Sequence, residues 1–351
     1  MTDLLGIDFP IIQGPFGGGL STVRLASIVS NLGGLGSFGA HNLEAEAIEN
    51  LGRELRSQTE RSFAINLWVS DWDAEMETVD ESAFSSSVQN HKIVYGRVGA
   101  EPPRFPVKVK SVYERQVEAV LRVKPKVFSF VFGIPAQEIL RECRRQGVVT
   151  VGAATTIAEA LALEAAGVDV VLASGAEAAG HRPWFLEGSE ADLVGTFPLI
   201  PLIKDRIKIP VIAAGGIVDS RGVRAALSLG ADAVQVGTAF LATEESGTSN
   251  VHKQRLLENT DGRTRLSKAF TGRWARFLPN AFLDRVDEEP EKILPFPAQS
   301  WLAGPIKQAA LAKVDGDYQS LYASQAAPLV KYRTAKEVFE ELKAGLHLDS
   351  Q

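Results

Sequence analysis

Between Pro10 and Thr238 the chain repeats one unit: a short apolar run that ends on glycine or a small polar residue, then a stretch with helical spacing of apolar side chains. The runs are Pro10-Ile-Ile-Gln13, residues 35–38, Phe63-Ala-Ile-Asn-Leu67, Val127-Phe-Ser-Phe-Val-Phe132, Val148-Val-Thr-Val-Gly152, residues 168–174, Pro210-Val-Ile-Ala-Ala214 and Ala233-Val-Gln-Val236. A run apolar at odd and even positions alike suits a strand covered on both faces, as in a parallel sheet. Strands alternating with helices predict an α/β fold, and eight such units predict closure into a (β/α)8 TIM barrel. An open doubly wound sheet is the rival. Length allows either, since 351 residues with 45% hydrophobic content fill a sizeable core. The helical stretches carry their own end signals: Ser21 or Thr22, Thr156, and Asp219 or Ser220 as N-caps, Gly167 and Gly230 as stops.

The repeat lapses twice. From Val69 to Val112 the chain is polar and proline-bearing, which reads either as a lid-like excursion or as a surface loop. After Glu245 it becomes charged and helical, interrupted by Pro279, Pro290, Pro295, Pro297 and Pro305. We therefore expect a barrel over residues 1–245, a smaller, mainly helical region covering the site over 246–329, and a closing segment over 330–351 with a helix near Thr334 to Lys343.

Charge narrows the function classes. With 37 basic and 43 acidic residues the formal charge is -6, which gives no basic groove for nucleic acid and no basic membrane patch. No stretch approaches the roughly 20 apolar residues of a membrane helix, and the N-terminus lacks a signal-peptide pattern. The single cysteine, Cys143, precludes an intrachain disulfide or a multi-cysteine metal site. A cytoplasmic enzyme acting on a small molecule is the expectation.

Chemistry concentrates after the sixth run. Val170-Val-Leu172 leads into Ser174-Gly-Ala-Glu-Ala-Ala-Gly180, mostly small side chains that let backbone approach a ligand, and then into His181. A histidine at a strand end beside a ligand can titrate near neutral pH and serve as a general base. Ala214-Gly-Gly216 and Gln235-Val-Gly-Thr238 end the seventh and eighth runs, where barrel loops offer glycine amides to phosphate. Asn66, near the end of the third run, adds an amide able to donate and accept. No Gly-x-x-x-x-Gly-Lys-Ser/Thr pattern is present, so nothing points to a P-loop nucleotidase.

Taken in order, Pro10-Ile-Ile-Gln13, Phe63-Ala-Ile-Asn-Leu67, Val127-Phe-Ser-Phe-Val-Phe-Gly-Ile-Pro135, Gly175-Ala-Glu-Ala-Ala-Gly-His-Arg182, Ala213-Ala-Gly-Gly-Ile217, Gln235-Val-Gly-Thr238 and Phe270-Thr-Gly-Arg273 resemble the nitronate monooxygenases, formerly 2-nitropropane dioxygenases. The resemblance implies a barrel carrying FMN, with phosphate on Gly216, Gly237 and Thr238. Further cofactor positions would be Gln13, Asn66, Ser174, Gly180, Gly215 and Gln235, with His181 as catalytic base and no metal. It implies oxidation of alkyl nitronates, and of nitroalkanes, by O2 to a carbonyl compound and nitrite; the sequence leaves a monomer or a dimer open. Phe16, Ser174, Ala179 and Pro183 stand where the family usually has methionine, glutamine, glycine and glycine. The flavin-dependent enoyl-acyl-carrier-protein reductases, which use NAD(P)H, share a similar Glu-Ala-Gly-Gly-His segment. They are the alternative enzyme, and a flavin- or phosphate-binding module without turnover is the alternative outside enzymes.

Overall fold

The computed structural model describes residues 1–106, 111–186 and 193–346. The apolar runs form β1 (Ile11–Gln13), β2 (Gly36–Gly39), β3 (Phe63–Trp68), β4 (Val127–Val131), β5 (Val149–Ala154) and β6 (Val170–Ser174). A two-residue strand β7 (Gly180–His181) precedes β8 (Val211–Ala214) and β9 (Ala233–Val236). All but β7 lie in one parallel eight-stranded sheet ordered β1-β9-β8-β6-β5-β4-β3-β2. A parallel bridge between Ile12 and Leu35, with the Gln13 amide donating to the Leu35 carbonyl at 2.9 Å, joins the two ends and closes the barrel. That bridge excludes the open sheet.

Side chains alternate along each strand, and here the alternation separates two cores. Ile12, Ala64, Val127, Val151, Val170, Leu172, Ile212 and Ala233 meet inside the barrel. Their neighbours of opposite parity, such as Ile11, Ile65, Phe128, Val171, Ala213 and Val234, pack outward against the helices. Both parities being buried is why the runs read as continuously apolar.

Helix ends follow the cap residues. The side chains of Thr22, Thr156 and Asp219 accept backbone N–H groups at the starts of the helices Val23–Asn31, Ile157–Ala166 and Ser220–Ser228. The helix Ala335–Ala344 opens with a capping box between Thr334 and Glu337 and buries Phe339 edge-on against Phe9.

Residues 246–329 hold the helices Asn250–Glu258, Ala281–Asp287 and Ala298–Ala312. They also hold a hairpin that the sequence reading did not foresee, β10 (Arg265–Ser267) and β11 (Ala275–Phe277). β11 pairs antiparallel with β7, setting Ala275 opposite His181. The excursion after β3 is helical at Glu81–Asn90 and Lys92–Val98, and Tyr95 Oη donates to the Leu302 carbonyl at 2.8 Å. Positions 107–110 of the excursion and 347–351 of the closing segment lie outside the described residues. Among the described residues no helix is long and apolar enough to cross a membrane.

Candidate active site

At the carboxyl ends of the barrel strands lies a cavity of about 800 Å³. Strand parity selects what reaches it. Asn66 and Trp68 share parity with Ala64, Ser129 with Val127, Ser174 with Leu172, and Gln235 with Ala233, so each continues an inward-facing row, and all line the cavity. Gln13 has the opposite parity. It is fully buried, accepts the Ser37 amide N–H at 3.0 Å and bonds to the Gly14 carbonyl, so it braces β1 against β2 and does not reach the cavity wall. The other residues expected to bind cofactor, together with His181, are all on that wall.

One end of the cavity is made of backbone. Gly215 and Gly216 have φ of +113° and +69°, a region that favours glycine. A Cβ on Gly215 would lie 2.7 Å from Thr196 Oγ1, and one on Gly216 3.3 Å from Glu177 Cβ. Among the described residues, the amides of Gly216, Ile217 and Gly237 donate to no protein acceptor. The helix behind Gly216 contributes less than its position suggested, because Asp219 already caps the amides of Arg221 and Gly222. Loop amides, rather than that helix end, are the free donors. Thr238 Oγ1 accepts the Ser324 amide at 3.1 Å and keeps its own proton to give.

The other end is built around His181. Its strand is held on one side by β11, where the Arg182 amide donates to the Trp274 carbonyl at 2.8 Å. The Arg182 side chain, 1% exposed, donates to the carbonyls of Gly175 and Ala178 at 2.8 and 2.6 Å and fixes the loop that leads into His181. Gly180, with φ of +72°, makes the turn. His181 Nε2 lies 2.9 Å from Thr271 Oγ1. Trp68 meets the imidazole edge-to-face with 4.9 Å between centroids and is stacked from behind by His41 at 4.0 Å. Arg273 packs over the rings of Phe132 and Phe296 at 4.1 and 4.0 Å and pairs with Asp73 at 2.7 Å.

These surroundings disfavour the imidazolium. Burial first, then Arg273, His41, Lys307 and Arg182, hold His181 well below the ordinary histidine range, and His41 is lowered to about 3 by burial, Arg273 and Lys307. Burial brings Lys307, on the cavity-lining helix Ala298–Ala312, down to about 8. At His181 the nearby cations therefore oppose a positive charge on the ring, while Asp73 pairs with Arg273 and Asp71 lines the same cavity wall as Lys307. Cys143 is buried and its thiol is pushed up to about 12 by burial, Asp169 and Glu142, which suits a packing role.

A family model described as nitronate monooxygenase matches residues 1–345. The chain belongs to the nitronate monooxygenase family. A probable nitronate monooxygenase of Bacillus subtilis (strain 168) is 36% identical over 337 residues, covering 95% of this chain and 94% of that protein. A nitronate monooxygenase of Paraburkholderia phytofirmans is 36% identical over 351 residues, covering 98% and 93%. A nitroalkane oxidase from Streptomyces ansochromogenes superposes with a TM-score of 0.89 at 35% identity, covering 98% of this chain and 97% of that one. FabK from Thermotoga maritima superposes with a TM-score of 0.76 at 28% identity, covering 98% and 95%.

Within this member of the nitronate monooxygenase family, the four departures read in the sequence, Phe16, Ser174, Ala179 and Pro183, all line the cavity. They alter the wall rather than the barrel. Cavity residues to which the sequence reading gave no role include His41, Trp68, Thr271 and Lys307. Trp68 was within reach, since it is the next inward position after Asn66 once β3 is extended. Thr271 and Lys307 come from elements outside the barrel, and no periodicity in the barrel strands points to them.

Proposed function

We propose that the cavity binds FMN and that the protein oxidises alkyl nitronates with O2 to a carbonyl compound and nitrite, His181 acting as base toward neutral nitroalkanes. The cofactor assignment is supported by the cradle: two positive-φ glycines, unpaired loop amides and the Thr238 hydroxyl form the donor set that a phosphate monoester needs. Asn66 and Gln235 supply side-chain amides, and Ser174 a hydroxyl, along the inward rows. When bound, the flavin supplies the electron transfer to oxygen.

The observation that carries the substrate reading is that His181, whose surroundings disfavour the imidazolium, lines the same cavity as Lys307. Lys307, on the cavity wall, is the cation placed to attract an anionic nitronate toward the aromatic side chains. The same surroundings make neutral His181 a weak base, so removal of the proton α to a nitro group is the slower task. Preformed nitronates should therefore be turned over faster than the parent nitroalkanes. Trp68, Phe132 and Phe296 form an apolar wall beside His181 that would limit water at the reacting carbon.

One anaerobic experiment tests both the cofactor and the reaction. Purified protein should be yellow, and a nitronate should bleach it quickly while NADPH bleaches it slowly. With air admitted, nitronate should drive rapid O2 uptake and nitrite release. Rapid bleaching by NADPH and none by nitronate would move the assignment to an NAD(P)H-dependent reductase.

A further inference from the structure

His181 makes one side-chain hydrogen bond within the described residues, and the bonding of its partner decides which ring nitrogen is protonated. A threonine hydroxyl has one proton to give and two lone pairs to accept with. Thr271 Oγ1 donates to the Arg273 carbonyl at 3.2 Å and accepts the Arg273 amide N–H at 3.3 Å. One lone pair remains, 2.9 Å from His181 Nε2. That nitrogen must therefore arrive carrying its proton.

In the opposite tautomer Thr271 would have to turn its hydroxyl toward Nε2. The Arg273 carbonyl would then lose the one donor that the described residues offer it, in a residue only 7% exposed. Leaving a buried carbonyl unpaired disfavours that tautomer by about 5- to 30-fold. Backbone fixes both partners. The amides of Thr271 and Gly272 donate to the Lys268 carbonyl at 3.2 and 2.8 Å, and Gly272 turns with φ of +87° where a Cβ would lie 2.5 Å from the Leu294 carbonyl. The imidazole side is held by the β7–β11 pairing.

We propose that Thr271 is a positioning residue that holds His181 as the Nε2–H tautomer and so makes Nδ1 the nitrogen that accepts the substrate proton. Nδ1 has no hydrogen-bond partner among the described residues, and the ring lines the cavity. In the step, the C–H bond α to the nitro group breaks, its proton joins Nδ1, and its electron pair becomes the C=N bond of the nitronate. The imidazolium that forms keeps Nε2–H on Thr271, so no second proton has to move. The proposal rests on the base role of His181, but its test reads the nitrogen itself.

The test is nitrogen NMR of the full chain, purified with whatever cofactor it carries, labelled with ¹⁵N-histidine and held at about pH 8. Of the 5 histidines, His181 is assigned by the signal lost in His181→Asn. Wild type and Thr271→Ser should show the Nε2–H tautomer. Thr271→Val, equal in shape but without the hydroxyl, should show a mixture. In parallel, kcat for a neutral nitroalkane should fall about 5- to 30-fold in Thr271→Val with KM little changed, and recover in Thr271→Ser. An Nδ1–H signal in wild type, or an unaltered Nε2–H signal in a folded Thr271→Val, overturns the proposal. If wild type lacks nitroalkane activity yet shows the Nε2–H tautomer responding to Thr271, the tautomer assignment stands and the reaction assigned above falls.

Discussion

Under the proposed function, one residue, Gly216, governs cofactor capture. Its φ of +69° disfavours any side chain, a Cβ there would press on Glu177 at 3.3 Å, and its amide is among the free donors of the cradle. Gly216→Val is expected to fold yet purify colourless; a folded, fully yellow variant, judged by absorbance near 450 nm, would remove Gly216 from the phosphate site. His181 governs the other end. An asparagine there fills the space but accepts no proton near neutral pH, so kcat/KM for nitroalkanes should fall by roughly 10²–10⁴-fold with flavin content intact. Nitronates need no deprotonation, so their kcat/KM should fall much less. Equal losses on both substrates would assign His181 to anion binding. The pH profile adds a sign: because the cations and burial hold the imidazole below 6.5, the acid limb for nitroalkanes should lie below that value in kcat/KM.

Among the elements, the barrel strands were the most legible part of the sequence, because burial on both faces writes itself as uninterrupted apolar runs such as Val170-Val-Leu172. The strand ends were legible as positions but not as directions. Asn66 and Gln235 point inward and Gln13 outward, a distinction that depends on which parity faces the barrel axis and needs the register of neighbouring strands. The β10–β11 hairpin was not legible, since its strands are three residues each and gain their pairing from distant β7. The same holds for the tie between the excursion after β3 and the turn before β11, where Asp73 meets the nearly buried Arg273. Asp73→Asn should leave that guanidinium poorly compensated and cost about 1–3 kcal/mol in urea unfolding. A change below about 0.3 kcal/mol would mean that the aromatic rings and Ser70 hold Arg273 without the carboxylate.

Taken as a whole, the molecule keeps several imidazoles neutral by enclosure. His252, 2% exposed and bonded through Nε2 to the Tyr322 carbonyl at 2.8 Å, is lowered to about 4, His41 to about 3, and His91 and His181 are lowered as well. For such groups the unfolded chain binds protons first. Their stabilising effect is complete above about 6.5 and is lost as pH falls from there toward the folded-state values, by at most about 1.4 kcal/mol per pH unit for each. Melting temperature should thus hold between pH 8 and 7 and drop between 6.5 and 5, with a shallower drop in His252→Gln; an identical slope in that variant would refute the share given to His252. The pairing of β7 with β11 also has a meaning in time. Thr271 follows His181 by 90 residues, so a ribosome adding roughly 5–20 residues per second makes His181 several seconds before the hairpin that orients it. A chain cut short after the last barrel strand would lack both the β11 partner and the Thr271 hydroxyl that hold His181. His181 is thereby oriented only once β11 has been made.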